Sequence, residues 1–345
     1  MDKDMVKTFK RLAGNIVIFA VLIGLTFWFV FKDQDLGKII GTIGETNLIF
    51  ILLGLLVMFG YFLVEAWNVR TLLSSFGEKI SMRQALRYTF IGFFFCSVTP
   101  GASGGQPLEI YYMSKDGISS ANATMAILIQ TCGIQVAVMG LGVIFLIFSP
   151  QIAAGPVMSL FMLGVLINGV ALVGLLTAIL SPKLAKKMIN WILNLLKKIH
   201  IKRFEKSRQS INESLAQYGE ASVYIKGHKA EFRNALLRSV LQMTLYYLVP
   251  YFVYLSFGLS EMNALGIVAM QSVLFIATSG LPIPGAIGAS EAVFLGLYSA
   301  VYGAEHVDSA LLLTRGSNFY LFVIIAMVVA ILNIVRLQKL GAKKK

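Results

Sequence analysis

Three ionisable side chains stand in stretches otherwise almost empty of charge. Glu109 is the only charged residue between Tyr88 and Ser114, Glu291 the only one between Ala264 and Ala304, and Arg315 the only one between Leu311 and Val335. Each acid follows the same short motif. PGAxG occurs at Pro100–Gly104, within "SVTPGASGGQPLEIYY", and again at Pro284–Gly288, within "SGLPIPGAIGASEAVF". Pro and Gly interrupt a helix, and a helix restarting after the break presents free N–H groups and a partial positive charge, which suits a phosphate or carboxylate. The residues expected to form such an anion site are Gly101, Ser103, Gly104, Gly105 and Gln106 at the first break, and Pro284, Gly285 and Gly288 at the second. Arg315 can fork onto a lipid phosphate or onto one of the two acids, and Glu109 or Glu291 can hold an ammonium group or a proton. A purely structural Glu291–Arg315 pair, with Pro and Gly only kinking packed helices, is the competing reading.

The remaining residues offer little other chemistry. HExxH, GxSxG and clustered cysteines are all absent, so no catalytic centre, metal or cofactor is expected. GASGG is not followed by GK[ST] and is no nucleotide loop. His200, His228 and His306 fall in expected loops, and Cys96 and Cys132 read as small buried hydrophobes. Glu65, just inside an apolar run, is expected to snorkel to the interface.

The elements that must position these groups are membrane helices. Hydrophobic residues make up 57% of the 345 and charged residues only 14%, with mean hydropathy +0.75. A soluble domain is nearer a quarter charged. Apolar runs at 12–31, 47–66, 121–148, 156–181, 235–258 and 309–335 are each long enough to span a bilayer. The first follows four basic residues but has no small-residue cleavage site after it, and reads as a retained anchor.

The segments 88–114 and 264–302 are irregular. Of the 30 Lys and Arg, 25 fall in 1–11, 67–87, 183–233 and 336–345, between the apolar runs. The positive-inside rule then puts both termini in the cytoplasm and requires 88–114 to enter and leave on that side, as a re-entrant hairpin turning at PGASGG. By the same count 264–302 begins and ends outside, either as two tight spans or as a second hairpin. The expected fold is all-α and polytopic: six full spans plus two helix-broken hairpins in an inverted repeat, forming one transmembrane domain over 1–345. Its halves are 12–148 and 156–335, with a basic amphipathic linker at 183–233 that either lies on the inner leaflet or is simply solvated. The charge placement favours anionic phospholipid over nucleic acid as partner; a homo-oligomer stays open.

On "TPGASGGQPLEIYYM", "LPIPGAIGASEAVFLG" and "LLLTRGSNFY", over roughly residues 14–336, the chain resembles the lysylphosphatidylglycerol synthase transmembrane-region family. This is the flippase half of the bacterial multiple peptide resistance factor, together with stand-alone relatives. The resemblance implies a translocase with re-entrant helices in a bacterial or archaeal cytoplasmic membrane. It would move aminoacylated phosphatidylglycerol outward, a route to antibiotic resistance. Full-length members carry an aminoacyltransferase domain for which residues 1–345 hold no counterpart, so the chain is expected to be no enzyme, even under a lysyltransferase name. Alternatives are a translocase for polyprenyl-phosphate-linked lipid, or a membrane subunit serving a separate aminoacyltransferase or glycosyltransferase.

Overall fold

A computed structural model describes residues 36–148, 155–181, 184, 187, 223, 224 and 227–343. The expected span 12–31 and most of the linker 183–233 lie outside these residues. The described helices are α1 (Leu36–Gly44), α2 (Leu48–Ser75), α3 (Met82–Val98), α4 (Gly105–Lys115), α5 (Ser120–Phe148), α6 (Gly155–Leu180), α7 (Lys229–Ser256), α8 (Ala264–Ser279), α9 (Ala289–Arg315) and α10 (Leu321–Lys343), with 3-10 turns at Pro100–Ala102 and Pro284–Ala286 and a π-turn at Gly316–Tyr320.

The frame is an antiparallel pair, α2 against α7, in contact along its whole length. At one end the Asn47 amide, next to the α2 N-terminus, donates to Ser256 O at 2.8 Å. Mid-way, Gly60 lies against Leu245 and the Tyr61 and Tyr246 rings are 5.8 Å apart. At the other end Tyr224 donates to Ser75 Oγ at 2.5 Å and Arg238 to Thr71 Oγ1 at 2.6 Å. The last of these ends, called end A below, carries Lys79, Arg83, Lys115 and Arg233; the opposite end B carries Glu45, Glu261 and Glu305, and residues 239–314 contain no Lys or Arg.

Two spans are longer than expected: 47–66 continues to Ser75 and 235–258 begins at Lys229. Each is a 28-residue helix of about 42 Å, well past the roughly 30 Å of a hydrocarbon core. The extra turns hold because Asn68 is buried against Ala235 and Ser239. By length and composition four described runs can cross a membrane: Leu48–Ser75, Ser120–Ile144, Val157–Thr177 and Pro284–Leu337. α7 is less apolar, because Gln242 and a set of tyrosines face inward from it.

Pro284–Leu337 is not one rod. Gly303 (φ 67°, ψ 168°) bends α9 back on itself, a backbone that glycine adopts without strain. Hence 289–302 is the return arm of a hairpin with α8, and 304–343 is a separate crossing. His306, expected in a loop, sits in the first turn after this corner and stacks on Phe257.

Both irregular segments are helical hairpins turning at PGA. α3 starts at end A, where the Ser81 side chain and Gln84 form a reciprocal cap, and α4 finishes there with Asp116 bonded to Arg87 and Arg336. α8 starts at end B, capped by Asn263, and its return arm finishes there with Tyr302 packed on Tyr254 and Phe257. Arms of 16 or 17 residues are about 24–26 Å long. The hairpins therefore enter from opposite ends of the bundle, and their two PGA turns touch. The turns share one backbone: φ is 59° and 54° at Gly101 and Ala102, and 58° and 50° at Gly285 and Ala286.

Close backbone approach fixes the hairpins in place. A side-chain carbon at Gly105 would fall 2.7 Å from Gly92 O, so α3 and α4 pack with almost nothing between them. At Gly164 it would overlap Ile276 O, which seats α6 directly on α8. Beside that contact Asn168 donates to Ser279 Oγ at 3.0 Å and accepts from Gln135 at 3.0 Å, tying the tip of the second hairpin to α5 and α6.

Candidate functional site

At the second turn, Gly288 (φ 86°) lets the chain restart as α9, and its N–H donates to Glu291 Oε2 at 2.7 Å. Glu291 Oε1 accepts twice more, from Arg315 Nε at 2.7 Å and the Tyr320 hydroxyl at 2.9 Å. Arg315 also donates from Nη2 to Gly285 O at 3.3 Å, and its guanidinium lies 4.2 Å from the Phe319 ring centre and 5.4 Å from that of Tyr320. The side chains of Arg315 and Glu291 are only 8% and 4% exposed. The π-turn Gly316–Tyr320 sets Phe319 and Tyr320 around Arg315; such local widenings of a helix occur often at functional sites. The ion pair that could have been purely structural is thus present, and it lies against the second PGA turn.

The first turn is more open. Gly101, Ala102, Ser103 and Gln106 are exposed, whereas Gly105 and Glu109 are buried. The Gly104 N–H is capped by the Thr99 hydroxyl at 2.9 Å, Ser103 Oγ donates to Pro100 O at 3.0 Å, and Gln106 reaches Thr131 Oγ1 at 2.9 Å. Of the amides expected to await an anion, those of Gly104 and Gly288 are therefore engaged within the protein. Glu109 is 5% exposed and its Oε1 has no hydrogen-bond partner. Its carboxyl occupies the space left by Gly92, where a side-chain carbon would stand 2.8 Å from Oε2.

Glu65 corrects an expectation. It does not snorkel outward, but accepts from Gln242 Nε2 at 2.9 Å inside the α2–α7 pair, next to the Tyr61 hydroxyl. Glu109 and Cys96 lie in its neighbourhood. Tyr61, Tyr246 and Tyr320 were also missed as neighbours of the acids. Tyr320 closes the quoted "LLLTRGSNFY", but a tyrosine in an apolar run carries no sign of its partner. Among the described residues no three His, Cys, Asp or Glu gather to hold a metal.

Residues 15–326 match the family model described as the lysylphosphatidylglycerol synthase TM region. The chain belongs to this family. The match takes in both hairpins, the Glu291–Arg315 pair and the first part of α10. No curated protein matches the chain. As a lysylphosphatidylglycerol synthase transmembrane-region protein built of long apolar helices, it is a multi-pass membrane protein.

Proposed function

We propose that this protein is a lipid translocase of the cytoplasmic membrane, carrying a phospholipid with an anionic or aminoacylated headgroup of the lysyl-phosphatidylglycerol type. The observation that carries this reading is the meeting of the two PGA turns, one from each end of the bundle, with a buried arginine at the second. Helix breaks at membrane depth are tolerated only where protein or a polar cavity receives them, and opposed broken helices are the way secondary transporters build a central site. On this reading both hairpins are re-entrant. End A, rich in Lys and Arg, is cytoplasmic and holds both termini.

The headgroup passes between the turns while the acyl chains stay in lipid. Its phosphate competes with Glu291 for Arg315 and with Thr99 for the amide of Gly104, so the site exchanges one set of bonds for another. Charge neutralisation is what such a site must supply, since an ion at the bilayer centre costs about 2.5–3.5 kcal/mol or more. No covalent bond is made or broken, and a separate aminoacyltransferase or glycosyltransferase supplies the lipid.

Purified protein in proteoliposomes with fluorescent phosphatidylglycerol and lysyl-phosphatidylglycerol tests this. Translocation above that of empty vesicles, lost in Arg315→Ala, is the expected result. Wild-type rates equal to empty vesicles with both lipids and with a polyprenyl phosphate would overturn it.

A further inference from the structure

The two hairpin acids stand in opposite electrostatic situations. Glu291 has its cation, Arg315, and accepts three hydrogen bonds. Glu109, 5% exposed, has no Lys or Arg in ion-pair range among the described residues and one carboxyl oxygen without any partner. What it has instead is a second carboxyl, Glu65, close enough for their charges to interact. A buried carboxylate without a cation is costly to keep ionised away from water, so Glu109 calls for a positive charge of its own.

The surroundings decide which cation. From α2 come Glu65 and the Tyr61 hydroxyl, from α3 Cys96, from α4 Glu109 itself, and from α7 Gln242 and Tyr246. The Tyr246 ring lies 5.8 Å from that of Tyr61. Glu65 is served by donors suited to a carboxylate, whereas Glu109 has Oε1 unbonded and its carboxyl in the space that a side chain at Gly92 would fill. The unbonded Oε1 of Glu109 is the atom that can take a proton.

Behind Glu65 a ladder of buried amides runs toward end A. Gln130 donates to Gln242 Oε1 at 3.1 Å, Asn68 donates to Gln130 Oε1 at 2.5 Å, and the oxygen of Asn68 is left without a partner.

We propose that Glu109 forms a proton-binding site distinct from the Arg315–Glu291 pair, with the proton on its unpartnered carboxyl oxygen and Glu65 as the neighbouring acid. This rests on the translocase reading only for its use, proton-coupled lipid movement; proton binding itself is a property of the protein without lipid substrate.

Infrared spectroscopy of the purified protein, in nanodiscs of zwitterionic lipid across about pH 5 to 9, reads the site directly. The expected result is a protonated-carboxyl band, shifted in heavy water, that Glu109→Gln removes. Glu65→Gln keeps the band but displaces its titration, and Glu261→Gln, at end B, leaves it unchanged. Should Glu109→Gln not fold, dicyclohexylcarbodiimide labelling of the wild-type chain with peptide mass mapping takes its place, with an adduct on Glu109 that is lost at alkaline pH. The absence of a protonated-carboxyl band in the wild type, its persistence in folded Glu109→Gln, or the lack of an adduct at Glu109 overturns the proposal. A band present without lipid translocation defeats the translocase reading alone, and translocation without the band defeats only the proton site.

Discussion

Arg315 and Glu291 are 24 residues apart with Gly303 midway between them, and Nε of one lies 2.7 Å from Oε1 of the other. The corner at Gly303 folds the two limbs of α9 side by side, so the pair closes the open end of a helical clip at the second PGA turn. Because the pair is buried, its parts are unequal to its whole. Removing one partner leaves an uncompensated charge, at about 3–5 kcal/mol, whereas replacing both with apolar residues of similar volume can be near neutral.

Arg315→Ala is therefore expected to lower thermal stability in detergent strongly, and the double variant Arg315→Met, Glu291→Met to recover most of it. Translocation is expected to stay absent in both. A double variant that melts like wild type and still moves lipid would reduce the pair to a packing role.

The matched turns make unequal demands on their glycines. Ala at a left-handed position costs about 1–2 kcal/mol, and this applies to both Gly101 and Gly285. Gly285 has in addition the Phe319 ring 2.5 Å from where a side-chain carbon would sit, while nothing lies within 4 Å at Gly101. Gly285→Ala should melt several degrees below Gly101→Ala, and equal melting temperatures would refute the packing described at the second turn.

At end A, Asp116 takes hydrogen bonds from Arg87, Arg336 and Tyr88, the last at 2.7 Å. Asp116→Ala frees two guanidiniums that are partly exposed, at 19% and 36%, so water screens much of the effect and about 1–2 kcal/mol is expected. Hydrogen exchange should rise in residues 112–120 and at the end of α10 and stay unchanged in α8; a uniform increase would contradict a local clasp.

Gly164 carries no side chain because Ile276 O occupies the place of one. Gly164→Val pushes α6 off α8, with overpacking expected to cost about 1–3 kcal/mol and the Asn168–Ser279 bond lost. The same change at Gly174, where nothing lies within 4 Å, should leave the melting temperature within a degree or two of wild type.

Ser103 is exposed at the first turn and Ser290 is 3% exposed behind the second. In a background lacking Cys96 and Cys132, Ser103→Cys should react with an impermeant maleimide from the cytoplasmic side, and Ser290→Cys should resist it from both sides. Reaction of Ser103→Cys only from outside would reverse the assigned orientation.

The two turns were legible because PGA breaks a helix whatever surrounds it, and the basic loops gave the reason to expect a hairpin at 88–114. For 264–302 charge placement was silent between re-entry and two crossings, and what decides its shape is Gly303, one glycine among 31 with no mark in the sequence to distinguish it. Burial depth was misread at Glu65. An acid ten residues before the end of a helix reads as interfacial only if the helix stops where its apolar run stops, and α2 continues because Asn68 finds its partners on α7. Arg315 was recognisable by its isolation; the choice of Glu291 over Glu109 as its partner depends on a tertiary fold-back that composition does not encode.

From Gly303 onward the chain is helical without a break to Lys343, with only the π-turn interrupting its α geometry. Arg315 and Arg336 are thus mounted on a single rod, about 30 Å apart along it, one gripping the tip of the second hairpin and the other the base of the first. Such a rod acts as a connecting bar between two latches. A tilt that loosens Arg315 from Glu291 must drag on Asp116, unless the five residues Gly316–Tyr320, the one place where the winding has slack, take up the movement instead.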